Sequence, residues 1–100
     1  MKEIRVSPQA EAELDGIWFY VAREASVETA NRVIDGITSR FGLLARYPAA
    51  GRSREELGPD VRSFPADSYL IVYEYRTGEE VVMILHIASR GRDVPGLFLQ

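Results

Sequence analysis

Val81-Val82-Met83-Ile84-Leu85-His86-Ile87-Ala88 is apolar at every position but His86, so when extended it carries apolar side chains on both faces. A strand of that composition belongs inside a sheet, covered on one face by helices and shielded on the other by aromatic side chains or a partner. Thr77-Gly78-Glu79-Glu80 ahead of it reads as a turn, and residues 69–76, rich in Tyr, Ile and Val, read as the preceding strand of an antiparallel hairpin. Residues 61–64 make a shorter strand, and the three together form an antiparallel meander. Between 48 and 60, Pro48, Gly51, Gly58 and Pro59 interrupt any periodicity, which predicts a surface loop or a strand approach.

Upstream of that loop the period changes from two to 3.6. Ala30, Val33, Ile34, Ile37, Phe41 and Leu44 fall at helical spacing between the cap candidate Ser26 and the terminator Pro48. Ala10, Leu14, Ile17, Trp18 and Val21 form an earlier apolar stripe behind Ser7-Pro8, a capping serine followed by a proline at the first helical position. The two helices form a hairpin. At the start, Lys2, Ile4 and Val6 alternate with Glu3 and Arg5 as in a half-buried strand. The predicted class is α+β, in the order β-α-α-β-β-β with the helices on one sheet face, and residues 1–100 are read as a single domain.

Composition narrows the function. The chain has 100 residues, 46% hydrophobic and 27% charged, with a net charge of −3 and no cysteine. No disulfide is possible, which fits a reducing cytoplasm. No apolar run approaches the ~18 residues of a membrane span, and Met1 to Val6 carries no export-signal core, so a cytoplasmic protein off the membrane is expected. Lys2 is the one lysine beside eleven arginines. An acidic chain of this kind is not expected to hold nucleic acid through a diffuse basic field or to read its sequence. Arginine instead suits fork-shaped contacts with carboxylates, phosphates or aromatic faces.

Catalytic constellations are sparse. The single histidine, His86, lies within an apolar strand, where hydrogen bonding inside the sheet is its expected role, and without cysteine it has few companions for a metal site. Neither metal nor cofactor is expected. Gly91 and Gly96 do not make a phosphate loop, and none of the serines sits in a nucleophile elbow. Glu55-Glu56 and Glu79-Glu80 are adjacent, pointing apart in extended chain, and read as solvated charge. Arg52, Arg54, Arg62, Arg90 and Arg92 lie near the ends of the β half and could gather to bind phosphates or acidic side chains.

Five stretches in this order resemble the RelE/ParE superfamily of toxins from bacterial type II toxin-antitoxin systems. They are Val6-Ser7-Pro8-Gln9-Ala10, then Leu14-Asp15-Gly16-Ile17-Trp18, Pro48-Ala49-Ala50-Gly51-Arg52, Arg62 ahead of Tyr69-Leu70-Ile71-Val72-Tyr73, and Arg92-Asp93-Val94-Pro95-Gly96-Leu97-Phe98. The resemblance implies a two-helix hairpin on a small twisted antiparallel sheet. It also implies one of two activities: ribosome-dependent mRNA cleavage in the RelE-like branch, or poisoning of DNA gyrase without nuclease chemistry in the ParE-like branch. Many RelE-like nucleases carry Arg where this chain has Leu70 and a tyrosine where it has Phe98, which cannot exchange a proton. Their strand-approach lysines are also missing, although Arg92 matches both branches.

The resemblance therefore implies a ParE-like, non-enzymatic gyrase inhibitor that a ParD-like antitoxin neutralises in a hetero-oligomer and that serves plasmid stabilisation. The alternatives are a RelE-like endonuclease using Arg62 and Arg92, and an inactive member that only binds antitoxin. Candidate target-binding residues are Arg52, Arg62, Arg90, Arg92, Leu97 and Phe98. Phe19 and Tyr20 directly follow Trp18 and place aromatics around more than half of a helical turn, so they are the antitoxin-binding candidates.

Overall fold

The alternating N-terminus forms β1 (Glu3–Val6), and the chain turns into α1 (Pro8–Glu24) at Ser7. There the serine hydroxyl accepts the Ala10 N–H at 3.0 Å and Pro8 occupies the first turn, where a missing N–H costs nothing. Ser26 opens α2 (Val27–Arg46) in the same way, accepting the Thr29 N–H at 3.0 Å. The structure is a computed structural model and describes residues 2–90. After Pro48 come β2 (Arg52–Ser53), a single 3-10 turn (Glu55–Leu57), β3 (Val61–Ala66), β4 (Tyr69–Arg76) and β5 (Val81–Ser89). Among the described residues no helix is long and apolar enough to cross a membrane.

The sheet order is β1-β5-β4-β3-β2. The expected meander is present, since β3, β4 and β5 pair antiparallel in sequence. Two features correct the expectation of three meander strands in an antiparallel sheet. Residues read as a surface loop or strand approach supply β2, which extends the edge by pairing Arg52 with Ser63 and Ser53 with Arg62. β1 lies parallel to β5, Glu3 opposite Val81 and Val6 opposite Ile84, so the sheet is mixed. β5 thus lies between β4 and β1, as its two-sided apolar composition requires.

Ala10, Ile37, Phe41 and Leu44 of the helices pack on Ala66, Ile71, Tyr73, Val82, Ile84 and Ile87 of one sheet face. The opposite face carries a smaller cluster, Val61 and Val72 with Leu57, Leu70 and Leu85 around them. Aliphatic side chains, one of them lent by the 3-10 turn, lie where aromatics or a partner were expected. Trp18 also departs from the core stripe. It is half-buried beside α2, donating its indole N–H to Asn31 Oδ1 at 2.8 Å, with Phe19 edge-on at a ring separation of 5.2 Å.

β1 stops at Val6, and α1 takes over the outer edge of β5 from there. Ser7 donates its N–H to the Ile84 carbonyl at 2.9 Å and its hydroxyl to the Leu85 carbonyl at 2.8 Å. Six residues on, Glu13 Oε1 accepts the Ile87 N–H at 2.9 Å. The register slips here: Val72 faces His86 while Tyr73 faces Ile84, leaving Leu85 as the extra residue of a bulge. Side chains of one helix thus satisfy an edge that would otherwise template aggregation.

Candidate functional site

The turn between α2 and β2 is tied down by two side chains from the sheet. The buried Tyr73 hydroxyl donates to the Pro48 carbonyl at 2.7 Å and accepts the Gly51 N–H at 2.8 Å. Burial pushes the Tyr73 phenol above its ordinary ionisation range, against the lesser pull of the Gly51 amide and the Arg62 charge. Arg62, opposite Tyr73 in the register, donates to the Gly51 carbonyl at 2.9 Å. Gly51 has no room for a side chain, because a Cβ would lie 2.5 Å from the Tyr73 hydroxyl and 2.8 Å from the Ser63 carbonyl. The outcome is a braced turn with Tyr47 on one side and Arg52 on the other, both exposed.

The expected group of arginines is divided by this arrangement. Arg52 and Arg62 sit at the braced turn, but Arg62 is engaged with backbone carbonyls. Arg54 is committed to Glu56 at 2.8 Å and holds that carboxyl below the usual carboxylate range. Arg90 lies at the other end of β3, donating to the Asp67 carbonyl at 3.2 Å. Five residues of extended chain from Arg62 to Asp67 span about 16 Å, too far for one compact anion site. Arg92, Leu97 and Phe98 lie outside the described residues.

Phe19 and Tyr20 are exposed, at 68% and 56%. Beneath Tyr20 an open cleft of about 460 Å³ runs between α1 and the end of β5, bordered by Glu13, Gly16, Ile17, Tyr69 and Ile87. Arg23 sits 5.9 Å from the centre of the Tyr20 ring. A second exposed apolar surface, which the sequence reading missed, lies at the C-terminal end of α2, where Leu43 is 39% and Tyr47 64% exposed. Leu43 lies one position from Leu44 of the core stripe, so spacing alone does not single it out.

His86 Nδ1 stands 3.4 Å from Glu13 Oε2 on α1, a helix carboxylate that also accepts the neighbouring Ile87 amide. Among the described residues no cluster of His, Asp and Glu could hold a metal ion.

The same fold occurs in solved structures of toxin-antitoxin systems. A chain of the chromosomal ParDE toxin-antitoxin system from P. aeruginosa superposes with a TM-score of 0.75 at 20% identity, over 89% of this chain and 96% of that one. A chain of the intact E. coli RelBE toxin-antitoxin complex gives 0.62 at 16% identity, over 92% and 100%. Sequence similarity identifies the family within this fold. The model for the ParE toxin of the parDE type II toxin-antitoxin system matches residues 4–94. Toxin ParE1 of Caulobacter vibrioides is 28% identical over 92% of this chain and 96% of its own length, and Toxin ParE3 of the same organism is 31% identical over 87% and 85%. The chain belongs to the ParE toxin family and is the toxin component of a type II toxin-antitoxin system.

Proposed function

We propose that this toxin acts in the cytoplasm by binding DNA gyrase and blocking its cycle, without catalysing a reaction, and that a ParD-type antitoxin silences it in a hetero-oligomer. The observation that carries the non-enzymatic reading is the environment of Leu70. In this chain Leu70 packs with Leu57, Val61, Val72 and Leu85 on the sheet face away from the helices. An aliphatic surface there offers neither a charge for a pentacoordinate phosphate nor a proton carrier for a ribose hydroxyl. Losing either typically costs ~10² or more in rate. Arg62, which the endonuclease alternative would use, is occupied with the Gly51 carbonyl. An antitoxin partner is supported by the toxin-antitoxin complexes among the structural neighbours, and exposed Phe19 and Tyr20 above an open cleft suit an apolar segment of such a partner.

The test is induction of the chain without antitoxin, with parallel assays of gyrase supercoiling and of mRNA integrity on ribosomes. Inhibited supercoiling with intact mRNA is expected. Site-specific cleavage of ribosome-bound mRNA with gyrase unaffected would overturn the reading.

A further inference from the structure

We propose that the C-terminal end of α2 and the braced turn after it form the surface that docks the toxin's protein target, with Leu43, Arg46, Tyr47 and Arg52 meeting an acidic, partly apolar face of that target. This rests on the toxin reading above and adds where the target binds and by what chemistry. The surface is separate from the one that carries Phe19 and Tyr20. Trp18 fixes the latter opposite Asn31, and the twelve residues from Asn31 to Leu43 span about 18 Å of helix.

Charge points to the kind of partner. The chain is acidic overall, and Arg5, Arg23, Arg40, Arg54 and Arg76 each meet a carboxylate of the chain itself within 4.0 Å. Among the described residues Arg46 and Arg52 form no such pair; of the others that form none, Arg62 and Arg90 donate to backbone carbonyls and Arg32 lies near the opposite end of α2. Arg52 feels Glu56 at longer range, but that carboxylate is already hydrogen-bonded to Arg54. Two exposed guanidiniums without an intramolecular carboxylate therefore flank exposed Leu43 and Tyr47, and a shallow groove runs between Ser39 and Tyr47 along this end of the helix. Arginine and tyrosine around an apolar centre is the composition of a protein interface hot spot. A nucleic-acid surface would need a broad positive field, which a chain of net charge −3 with one lysine does not supply.

Rigidity completes the case. Tyr73 and Arg62 hold the turn by its Pro48 and Gly51 backbone groups, so Tyr47 and Arg52 are displayed from a backbone already ordered before any partner arrives. Preordering lowers the entropic cost of association.

The experiment compares the full-length chain with Arg46→Glu, Tyr47→Ala and Arg52→Glu in three measurements: growth arrest on induction, affinity for immobilised purified gyrase, and binding to the ParD-type antitoxin. Each variant is expected to melt like the parent, to keep antitoxin affinity, and to lose about tenfold or more in gyrase affinity with relief of growth arrest. Arg46→Gln and Arg52→Gln, milder at the surface, should give smaller losses in the same direction and replace any charge reversal that fails to fold. Folded variants that arrest growth as the parent does would overturn the surface. So would parent binding to a duplex DNA or RNA probe that the same variants lose, since the partner would then be nucleic acid. A parent that arrests growth while sparing gyrase overturns the gyrase reading alone, and the surface is then judged by whether the variants relieve the arrest. A parent that does not arrest growth overturns both.

Discussion

At the scale of single residues, Tyr73 does more for the candidate surface than any arginine that touches solvent. Its ring is part of the core, and its hydroxyl joins two backbone groups 22 and 25 residues earlier in the chain. Tyr73→Phe keeps the ring but leaves the buried Gly51 N–H without its acceptor, a loss of about 1–3 kcal/mol. For a domain of this size that corresponds to a fall in Tm of roughly 10 °C, measurable by calorimetry. The same phenol sets a pH dependence. Its folded pKa is raised above the ordinary tyrosine value of 10.0 because burial opposes the phenolate. A group shifted in that direction contributes stability that is complete below its unfolded pKa and is lost as pH rises through the folded one. Denaturation midpoints should therefore decline above pH 10.0, with a phenol titrating above its ordinary range by phenolate absorbance. In Tyr73→Phe the late titration should vanish, and its persistence would assign it to another tyrosine. None of this was legible in the sequence, where Tyr73 reads as one β-former among several, because its partners are backbone atoms brought close by folding.

At the scale of elements, what the sequence revealed and what it hid divide along local and non-local causes. The caps were readable because Ser7-Pro8 and Ser26 act on amides three residues away. The two-residue β2 was not, since two residues cannot display a period and its pairing with β3 reaches across the 3-10 turn. The bulge at Leu85 was hidden for a different reason: a strand apolar on both faces looks alike in either register. Trp18 was misplaced because helical spacing assigns it to the stripe, whereas its indole N–H seeks an acceptor and finds Asn31. The two caps supply a comparison. Ser7 both accepts the Ala10 amide and donates to the Leu85 carbonyl at the bulge, while Ser26 donates to the nearby Thr29 hydroxyl and ties α2 to no other element. Ser26→Ala should cost about 1 kcal/mol, the ordinary value of a cap. Ser7→Ala should cost about 2 kcal/mol, since it also strands a strand carbonyl. Chemical denaturation of both variants checks this, and equal losses would show that the bond to Leu85 contributes nothing net.

At the scale of the whole molecule, the two ends of the helical hairpin carry different surfaces, and the separation has a consequence for neutralisation. Phe19 and Tyr20 lie toward the hairpin turn, beside a cleft whose rim includes Glu13, whereas Leu43, Arg46 and Tyr47 lie at the far end of α2. If the first surface holds the antitoxin and the second the target, one substitution should separate the two activities. Tyr20→Glu places a carboxylate on an exposed ring position that carries no core contact, so the fold should be unaffected, within about 0.5 kcal/mol. Against an apolar antitoxin segment that charge would be buried or left facing Glu13, and either outcome should weaken binding by about 1–3 kcal/mol, some five- to 150-fold. Gyrase inhibition by the isolated variant should match that of the parent, because the contact surface for the target is about 18 Å away. Titrating antitoxin into a supercoiling assay reads both at once. The parent should be silenced near equimolar antitoxin, and Tyr20→Glu should require a large excess while starting from the same inhibition. A variant silenced at the parent's ratio would remove Tyr20 from the antitoxin interface, and one that no longer inhibits gyrase although it melts normally would place target and antitoxin on a shared surface.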